Sequence, residues 1–404
     1  MQINGERICS KDQELVRPKI HFTPKKNWIN DPNGLIYFNS EYHLFYQHNP
    51  QGNKWGHMSW GHAKSRDLLN WQELPVAIKE QPNFAIFSGS AVYDEENKRL
   101  VAIFTAHTEN NQSQHLAFSY DGGTTWKLFE NNPVLDIGYV DFRDPKVMRY
   151  QNLWLMSVAK PWEEKVSFFS SSDLMNWKHL SDFETECKED IQWECPDLFE
   201  LDGKWVLLVS ENKPKSVGKC KMRYYIGEFD GKEFIPDEHK SMPLDHGPDF
   251  YAGVTFNDAP DSQRIIIGWM NNWSYAQKEK FSKQEIWNGS MSVARKLSIE
   301  NKKLVQYFLA PNKSFQIPSD VEHFALRYKN GDLKFHRRDG WVAIFRGELW
   351  DDELLESAIP TPEGVPLSLD CVFDAGSIEI RLNGLTYSAR LNVGPEVPEL
   401  VFND

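Results

Sequence analysis

The sequence predicts an all-β chain: a five-bladed β-propeller over residues 1–300, followed by a shortened C-terminal β-sandwich over 301–404. Three observations carry that expectation. An internal repeat of about 55 residues runs through the first part of the chain, and the apolar runs between its markers are strand length and bounded by turn residues. No helix-period pattern with caps extends beyond a turn or two.

The repeat is read from its turns. Ser65-Arg-Asp67-Leu-Leu-Asn-Trp71, Ser119-Tyr-Asp121-Gly-Gly-Thr-Thr-Trp126 and Ser171-Ser-Asp173-Leu-Met-Asn-Trp177 each set an Asp ahead of a short turn and a Trp, and Phe229-Asp230-Gly-Lys-Glu-Phe234 is a degenerate fourth. The aspartates stand 54, 52 and 57 residues apart. Between the turns, Gly34–Phe38, Tyr42–Tyr46, Leu100–Phe104 and Leu153–Val158 read as strands, and each unit has room for four antiparallel strands, the size of one blade. The competing reading is a β-sandwich with coincidental turns.

Polar motifs fall at a second fixed phase. Asn30-Asp31-Pro-Asn-Gly34, Phe87-Ser88-Gly-Ser90, Arg143-Asp144-Pro145, Trp193-Glu194-Cys195-Pro-Asp197 and Asp249-Phe250-Tyr251-Ala252 follow one another at steps of 57, 56, 50 and 56, measured at residues 31, 88, 144, 194 and 250. Equivalent positions of successive blades surround one axis, so Asp31, Asp144 and Glu194 are expected to face one another across a central funnel. An acid before a proline also makes an ordinary side-chain-bonded turn. Three at a single phase favour chemistry. The fifth unit ends near Ser292–Leu297; beyond it Pro311 and Pro318 lead to short strands around Phe324–Tyr328, Trp341–Phe345, Leu367–Phe373 and Ser377–Leu382. Asn330-Gly331, Gly376-Ser377 and Asn383-Gly384 mark the hairpins of this sandwich.

Composition narrows the partners. With 45 basic against 58 acidic residues, a net charge of -13 repels a phosphate backbone or an anionic bilayer, so neither nucleic acid nor membrane is expected. The strongest apolar runs, Trp205–Val209 and Ile265–Met270, are far below the roughly 18 residues of a membrane helix. Glu6, Arg7, Lys11, Asp12, Glu14 and Arg17 leave no apolar stretch for a secretory leader, and the expected location is cytoplasmic. Cys9, Cys187, Cys195, Cys220 and Cys371 lack CxxC spacing and read as free thiols. His43, His48, His57 and His62 read as strand-pairing residues rather than ligands, and no metal or cofactor is expected.

Two carboxyl groups held close in a partly dry funnel resist ionising together, so one can serve as an acid while the other stays an anion. The longer arm of Glu194 suits protonation of a leaving group; the shorter Asp31 suits a fixed nucleophile.

Trp28-Ile-Asn30-Asp31-Pro-Asn-Gly34, Phe45-Tyr-Gln47, Phe87-Ser88-Gly-Ser90, Phe142-Arg143-Asp144-Pro145, Trp193-Glu194-Cys195-Pro-Asp197-Leu and Gly268-Trp269-Met270 resemble, in order and spacing, the fructan-cleaving glycoside hydrolases of family 32, the invertase and levanase family. The resemblance runs from about residue 18 to the end and implies a five-bladed propeller followed by a β-sandwich. It implies Asp31 as nucleophile, Asp144 as transition-state stabiliser held ionised by Arg143, and Glu194 as acid/base. It also implies a substrate pocket of Asn30, Gln47, Trp55, Phe87, Ser88, Arg143, Asp245, Tyr251, Trp269 and Trp287. The expected activity is retaining, exo-acting hydrolysis of terminal β-D-fructofuranosides (sucrose, fructo-oligosaccharides, inulin or levan) with release of fructose. A fructosyltransferase with the same three acids and a non-catalytic sugar-binding propeller stay open. Trp269–Ala276 and His246–Ala252 look more like the exo-acting fructanase branch than like sucrose-6-phosphate hydrolases. Two features depart from the family: Ala294-Arg295-Lys296-Leu297 replaces its usual Pro-Arg-Glu-Leu, and the sandwich, the expected surface for a homodimer, is short.

Overall fold

The computed structural model describes residues 17–185, 191–213, 220–278, 286–347 and 357–402; Cys9, Cys187 and the charged stretch 6–14 lie outside them. Five antiparallel sheets follow one another along the chain. The first holds Asn27–Phe38, Glu41–Asn49, Ser59–Ser65 and Gln72–Ile78; the second Ala85–Asp94, Arg99–His107, Gln112–Ser119 and Lys127–Leu128. The third holds Arg143–Tyr150, Leu153–Lys160, Lys165–Ser171 and Lys178–Glu184; the fourth Gln192–Leu201, Lys204–Asn212, Cys220–Phe229 and Phe234–Pro236; the fifth Tyr251–Thr255, Ile265–Trp269, Arg295–Glu300 and Lys303–Phe308. The opening strand of each sheet packs on the opening strand of the next, and that of the fifth packs on that of the first, so the ring is closed. This is a five-bladed propeller. Trp287–Asn288 seals it by pairing in parallel with Asn27–Trp28.

The repeated Asp-turn-Trp motif links the third and fourth strands of a blade. Asp67 Oδ1 accepts the backbone N–H of Leu69 (2.9 Å) and Asn70 (2.7 Å), and the Trp71 indole donates back to the Leu68 carbonyl at 3.2 Å. Asp173 and Trp177 repeat these bonds, Asp121 and Trp126 make a longer version, and Asp230 accepts from Lys232 and Glu233. The motif recurs because a carboxylate satisfies the turn's own amides, leaving the Trp to cover the blade edge.

The outer strand of the fifth blade continues to Phe308, past the boundary expected at 300, and the sandwich begins at Lys313–Ile317. One of its sheets adds Leu367–Asp374, Ser377–Leu382 and Leu385–Arg390; the other holds His323–Tyr328, Gly331–Arg338, Trp341–Phe345, Ser357–Pro360 and Glu399–Phe402. Phe324, Leu326, Phe335, Ile344, Ile378, Ile380 and Tyr387 fill the space between them.

Propeller and sandwich meet across buried ionic groups. Arg295, fully buried, donates to Glu379, to Asp245 and Gln306 (both 2.9 Å) and to Ser388. His21 lies between Asp374 at 3.0 Å and Glu379 at 2.9 Å, and Asp249 pairs with Arg346, Tyr275 and the Arg390 N–H. Charges taken out of water stay in place only when paired this completely. Of the two positions that depart from the family pattern, Ala294 is buried and Lys296 is exposed, so the exchange of an acid for a base falls on the surface. Among the described residues no helix is long and apolar enough to cross a membrane.

Candidate active site

Every opening strand carries a one-residue bulge at the same place. Ile29 to Pro32 spans the distance from His48 to Tyr46 on its neighbour, and Ile86 to Gly89, Arg143 to Lys146, Glu194 to Asp197 and Tyr251 to Val254 likewise run three steps against two. The five motif sequences are these five bulges. A bulge breaks the alternation of faces and re-aims its side chains, here toward the propeller axis. Asp144 (φ 64°), Cys195 (φ 48°) and Ala252 (φ 51°) take left-handed backbone conformations to do so, at a cost of roughly 1–3 kcal/mol each. Hydrogen bonds hold the kinks: the Asp144 N–H donates to Thr105 Oγ1 (3.0 Å) and the Cys195 N–H to Asp144 Oδ2 (2.9 Å).

The result is a well of about 370 Å³ whose walls include Asn30, Asp31, Gln47, Trp55, Phe87, Ser88, Arg143, Asp144 and Glu194. The three acids come from the first, third and fourth blades. Cys195 Sγ bridges two of them, 3.8 Å from Asp31 Oδ2 and 3.5 Å from Asp144 Oδ2. Asp31 accepts from Ser88 Oγ at 2.7 Å and from Asn30 Nδ2 at 3.0 Å, and Asn30 is itself fixed by the Trp28 indole at 2.8 Å. Glu194 accepts from Tyr251 OH at 2.5 Å and from Arg143 at 3.0 and 3.2 Å.

Burial raises Asp31 from the usual carboxylate range to about 6; the bonds from Ser88 and Asn30 pull it down and the charge of Glu194 pushes it up. Asp144 is raised as well, first by burial and then by Glu194 and Asp31, against the pull of Arg143. Arg143, expected to hold Asp144 ionised, pulls it down through space alone, because its guanidinium bonds Glu194 and Asp141 (2.6 Å), and burial outweighs that pull. The Cys195 thiol, pushed up by burial among these acids, stays protonated.

Below the acids the axis is closed. Lys146 bonds Thr255 and lies 3.4 Å from Asp197, while Asn257 Nδ2 spans the carbonyls of Ala91 and Val147. A larger cavity of about 750 Å³ sits past this plug, lined by hairpin ends including Phe38, Tyr93 and Met148, and holds none of the three acids.

Three expected pocket residues are elsewhere, and Tyr251 reaches the well only through Glu194. Asp245 is 2% exposed and committed to Arg295 and Ser388 at the sandwich interface. Trp269 is 0% exposed and lies behind the wall against Trp28, with ring centroids 5.8 Å apart. Trp287 is buried in the ring-closing strand under Arg17. The residue type was right for sugar contact in each case, but the face was not. His107, Gln112, Asp141, Asn212, Trp273 and Gln277 line the well without having been singled out. Trp273 lies within the Trp269–Ala276 stretch, Gln277 in the same turn segment just after it, and Asp141 just before Arg143; His107, Gln112 and Asn212 sit at the ends of second and third strands, where no local pattern marks them.

Converging carboxyls of unlike environment in a polar well, on a propeller frame, define the class of sites equipped for acid/base and nucleophilic catalysis. The chain belongs to glycosyl hydrolases family 32, whose N-terminal domain model matches residues 21–307. It is 42% identical over 311 residues to a levanase of Bacillus subtilis (strain 168), covering 71% of this chain and 45% of the relative. It is 38% identical over 316 residues to an extracellular exo-inulinase of Meyerozyma guilliermondii, covering 72% and 61%. The matched stretch thus spans about half to three-fifths of these curated relatives. Among solved structures, an exo-inulinase from Aspergillus awamori superposes with a TM-score of 0.86 at 27% identity, covering 99% of this chain and 96% of that one. A beta-fructofuranosidase from Schwanniomyces occidentalis complexed with fructosyl-erythritol does so with 0.86 at 28%, covering 97% and 95%.

Proposed function

We propose that this protein is a retaining, exo-acting β-fructosidase that releases fructose from sucrose and short fructo-oligosaccharides. The observation that carries the reading is the meeting of Asp31, Asp144 and Glu194 in one well. Relatives named levanase and exo-inulinase, and a neighbour holding fructosyl-erythritol, support fructosides as the substrate class. A well closed at its base by Lys146, Asp197, Thr255 and Asn257 accepts a chain end rather than a chain middle, which favours exo attack.

In the proposed reaction Asp31 attacks the anomeric carbon of the terminal fructosyl unit while Glu194 gives its proton to the departing oxygen. Glu194 then takes a proton from water, and that water releases fructose from Asp31. Ser88 and Asn30 fix the nucleophile's rotamer, so little reorganisation is needed at the moment of attack. Asp144, anchored by the Cys195 N–H, bonds ring hydroxyls more strongly as positive charge develops. Arg143 and Tyr251 hold Glu194 in reach of the leaving group.

The test is product analysis on sucrose, inulin, levan and sucrose-6-phosphate, with Asp31→Asn and Glu194→Gln alongside. Free fructose from the wild type, first formed with retained configuration, and none from either variant is expected. Inverted product would reject the two-carboxyl displacement, which needs the groups about 5–5.5 Å apart, and longer oligomers would favour transfer to sugar. A homodimer through the sandwich, with half-exposed Trp341 and Phe402 in one of its sheets, is proposed as well and is read from light scattering.

A further inference from the structure

His107 ends the second strand of the second blade, at the wall of the well. Its ring lies flat on Phe87, with centroids 4.2 Å apart and 14° between planes, and Phe87 meets Trp55 edge-on at 6.0 Å. The stack fixes the plane of the imidazole. The position of its proton follows from Gln112. Gln112 Oε1 accepts the Phe142 N–H at 2.8 Å and faces Arg143 Nη1 at 3.4 Å, both unambiguous donors, so the amide cannot be turned round. Gln112 Nε2 therefore points at His107 Nδ1, 3.1 Å away. An NH₂ group only donates, hence Nδ1 must accept and the ring proton must sit on Nε2. No described protein group hydrogen-bonds Nε2, and the ring forms part of the well's lining.

We propose that His107 is a further substrate-contacting residue, its Nε2–H held toward the well to donate a hydrogen bond to a hydroxyl of the bound fructoside. The inference rests on the fructosidase reading for the identity of the ligand. A hydroxyl oxygen is the fitting acceptor, since the well already supplies carboxylates as acceptors and needs donors to complete recognition of a polyol. Burial, and then the charge of Arg143, lower the imidazole's affinity for a second proton, against the opposing pull of Asp141 and Glu109, so the ring stays neutral near neutral pH.

Two variants test this. His107→Phe keeps the stack on Phe87 and removes the donor; His107→Gln keeps a donor near the place of Nε2. With melting temperatures matched to wild type, His107→Phe is expected to lower kcat/KM on sucrose about three- to tenfold, the worth of one neutral hydrogen bond, and His107→Gln to recover most of it. An effect below twofold in His107→Phe, or equal loss in both variants, overturns the proposal. Nitrogen-15 shifts of the His107 ring provide a readout independent of activity: an Nε2–H tautomer supports the assignment, and an Nδ1–H tautomer overturns it. Should the wild type release no fructose at all, the fructosidase reading fails separately. Calorimetric titration of Glu194→Gln with sucrose, with and without His107→Phe, then decides: weaker binding in the double variant supports His107, and equal or absent binding overturns it.

Discussion

His21 provides the sharpest test of how the two domains are joined. The ring is completely buried between Asp374 and Glu379, and Asp374 also takes the N–H groups of Lys19, Ile20 and His21. Burial opposes the imidazolium, but hydrogen bonds and charge from the two acids outweigh it and raise His21 from 6.5 to about 9. A group whose pKa is higher in the folded than in the unfolded chain adds stability that is complete below pH 6.5 and is lost as pH climbs through 9. At 1.36 kcal/mol per pH unit the loss is about 3 kcal/mol. For a chain of 404 residues, with an unfolding entropy of about 2.1 cal/mol/K per residue, that is about 4 °C in melting temperature. The assay is scanning calorimetry at pH 6 and pH 10 for wild type and His21→Gln. Lysines and tyrosines also titrate in this window, so the comparison lies in the difference: the variant is expected to start lower at pH 6 and to fall about 4 °C less. Parallel curves would refute the buried imidazolium.

Asp31→Asn is expected to abolish fructose release and yet to melt higher at pH 7. Because burial raises Asp31 to about 6, its contribution to stability falls as pH rises from 3.8 to 6, by at most about 3 kcal/mol; a lower melting temperature would contradict this. The same ionisation predicts that wild-type kcat/KM rises with pH through about 6, read from a pH–rate profile. Asp144→Asn should lower kcat on sucrose by about 10²–10³-fold with little change in KM, the pattern of a contact made mainly in the transition state. Asp245→Asn should leave KM for sucrose within about twofold while costing roughly 1–3 kcal/mol of stability through the weakened bonds to Arg295 and Ser388, Glu379 still pairing the guanidinium, measured by denaturant unfolding.

What the sequence disclosed was local. The Asp67, Asp121 and Asp173 turns are bonded within four residues of themselves, so their chemistry is written in consecutive letters, and their period reveals the blades. The three acids were legible because each occupies a kink whose Pro, Cys or Gly neighbours are themselves unusual. The direction of a side chain on an ordinary strand is a different matter. Asp245 and Glu379 are claimed by Arg295 from positions 50 and 84 residues distant, and nothing near Asp245 announces a partner that far along the chain. Trp269 and Trp287 are as aromatic as Trp55; only packing decides that Trp55, 41% exposed, faces the well and the others do not. His107 and Gln112 went unnoticed for the same reason, since their meaning lies in a bond between strands.

The shared kink of the opening strands has an evolutionary consequence. Side chains on a strand alternate with a period of two. Losing one residue at any of the five kinks would therefore remove the extra step, restore the plain alternation and take away the turn that aims the kink at the axis, and at three of them that would carry an acid out of the well. Deletions at these kinks are thus incompatible with the site. The connections carrying Trp55, Asp141 and Trp273 bear no such constraint. Lineages built on this frame can drift in which sugars they admit while the chemistry that cleaves them stays frozen.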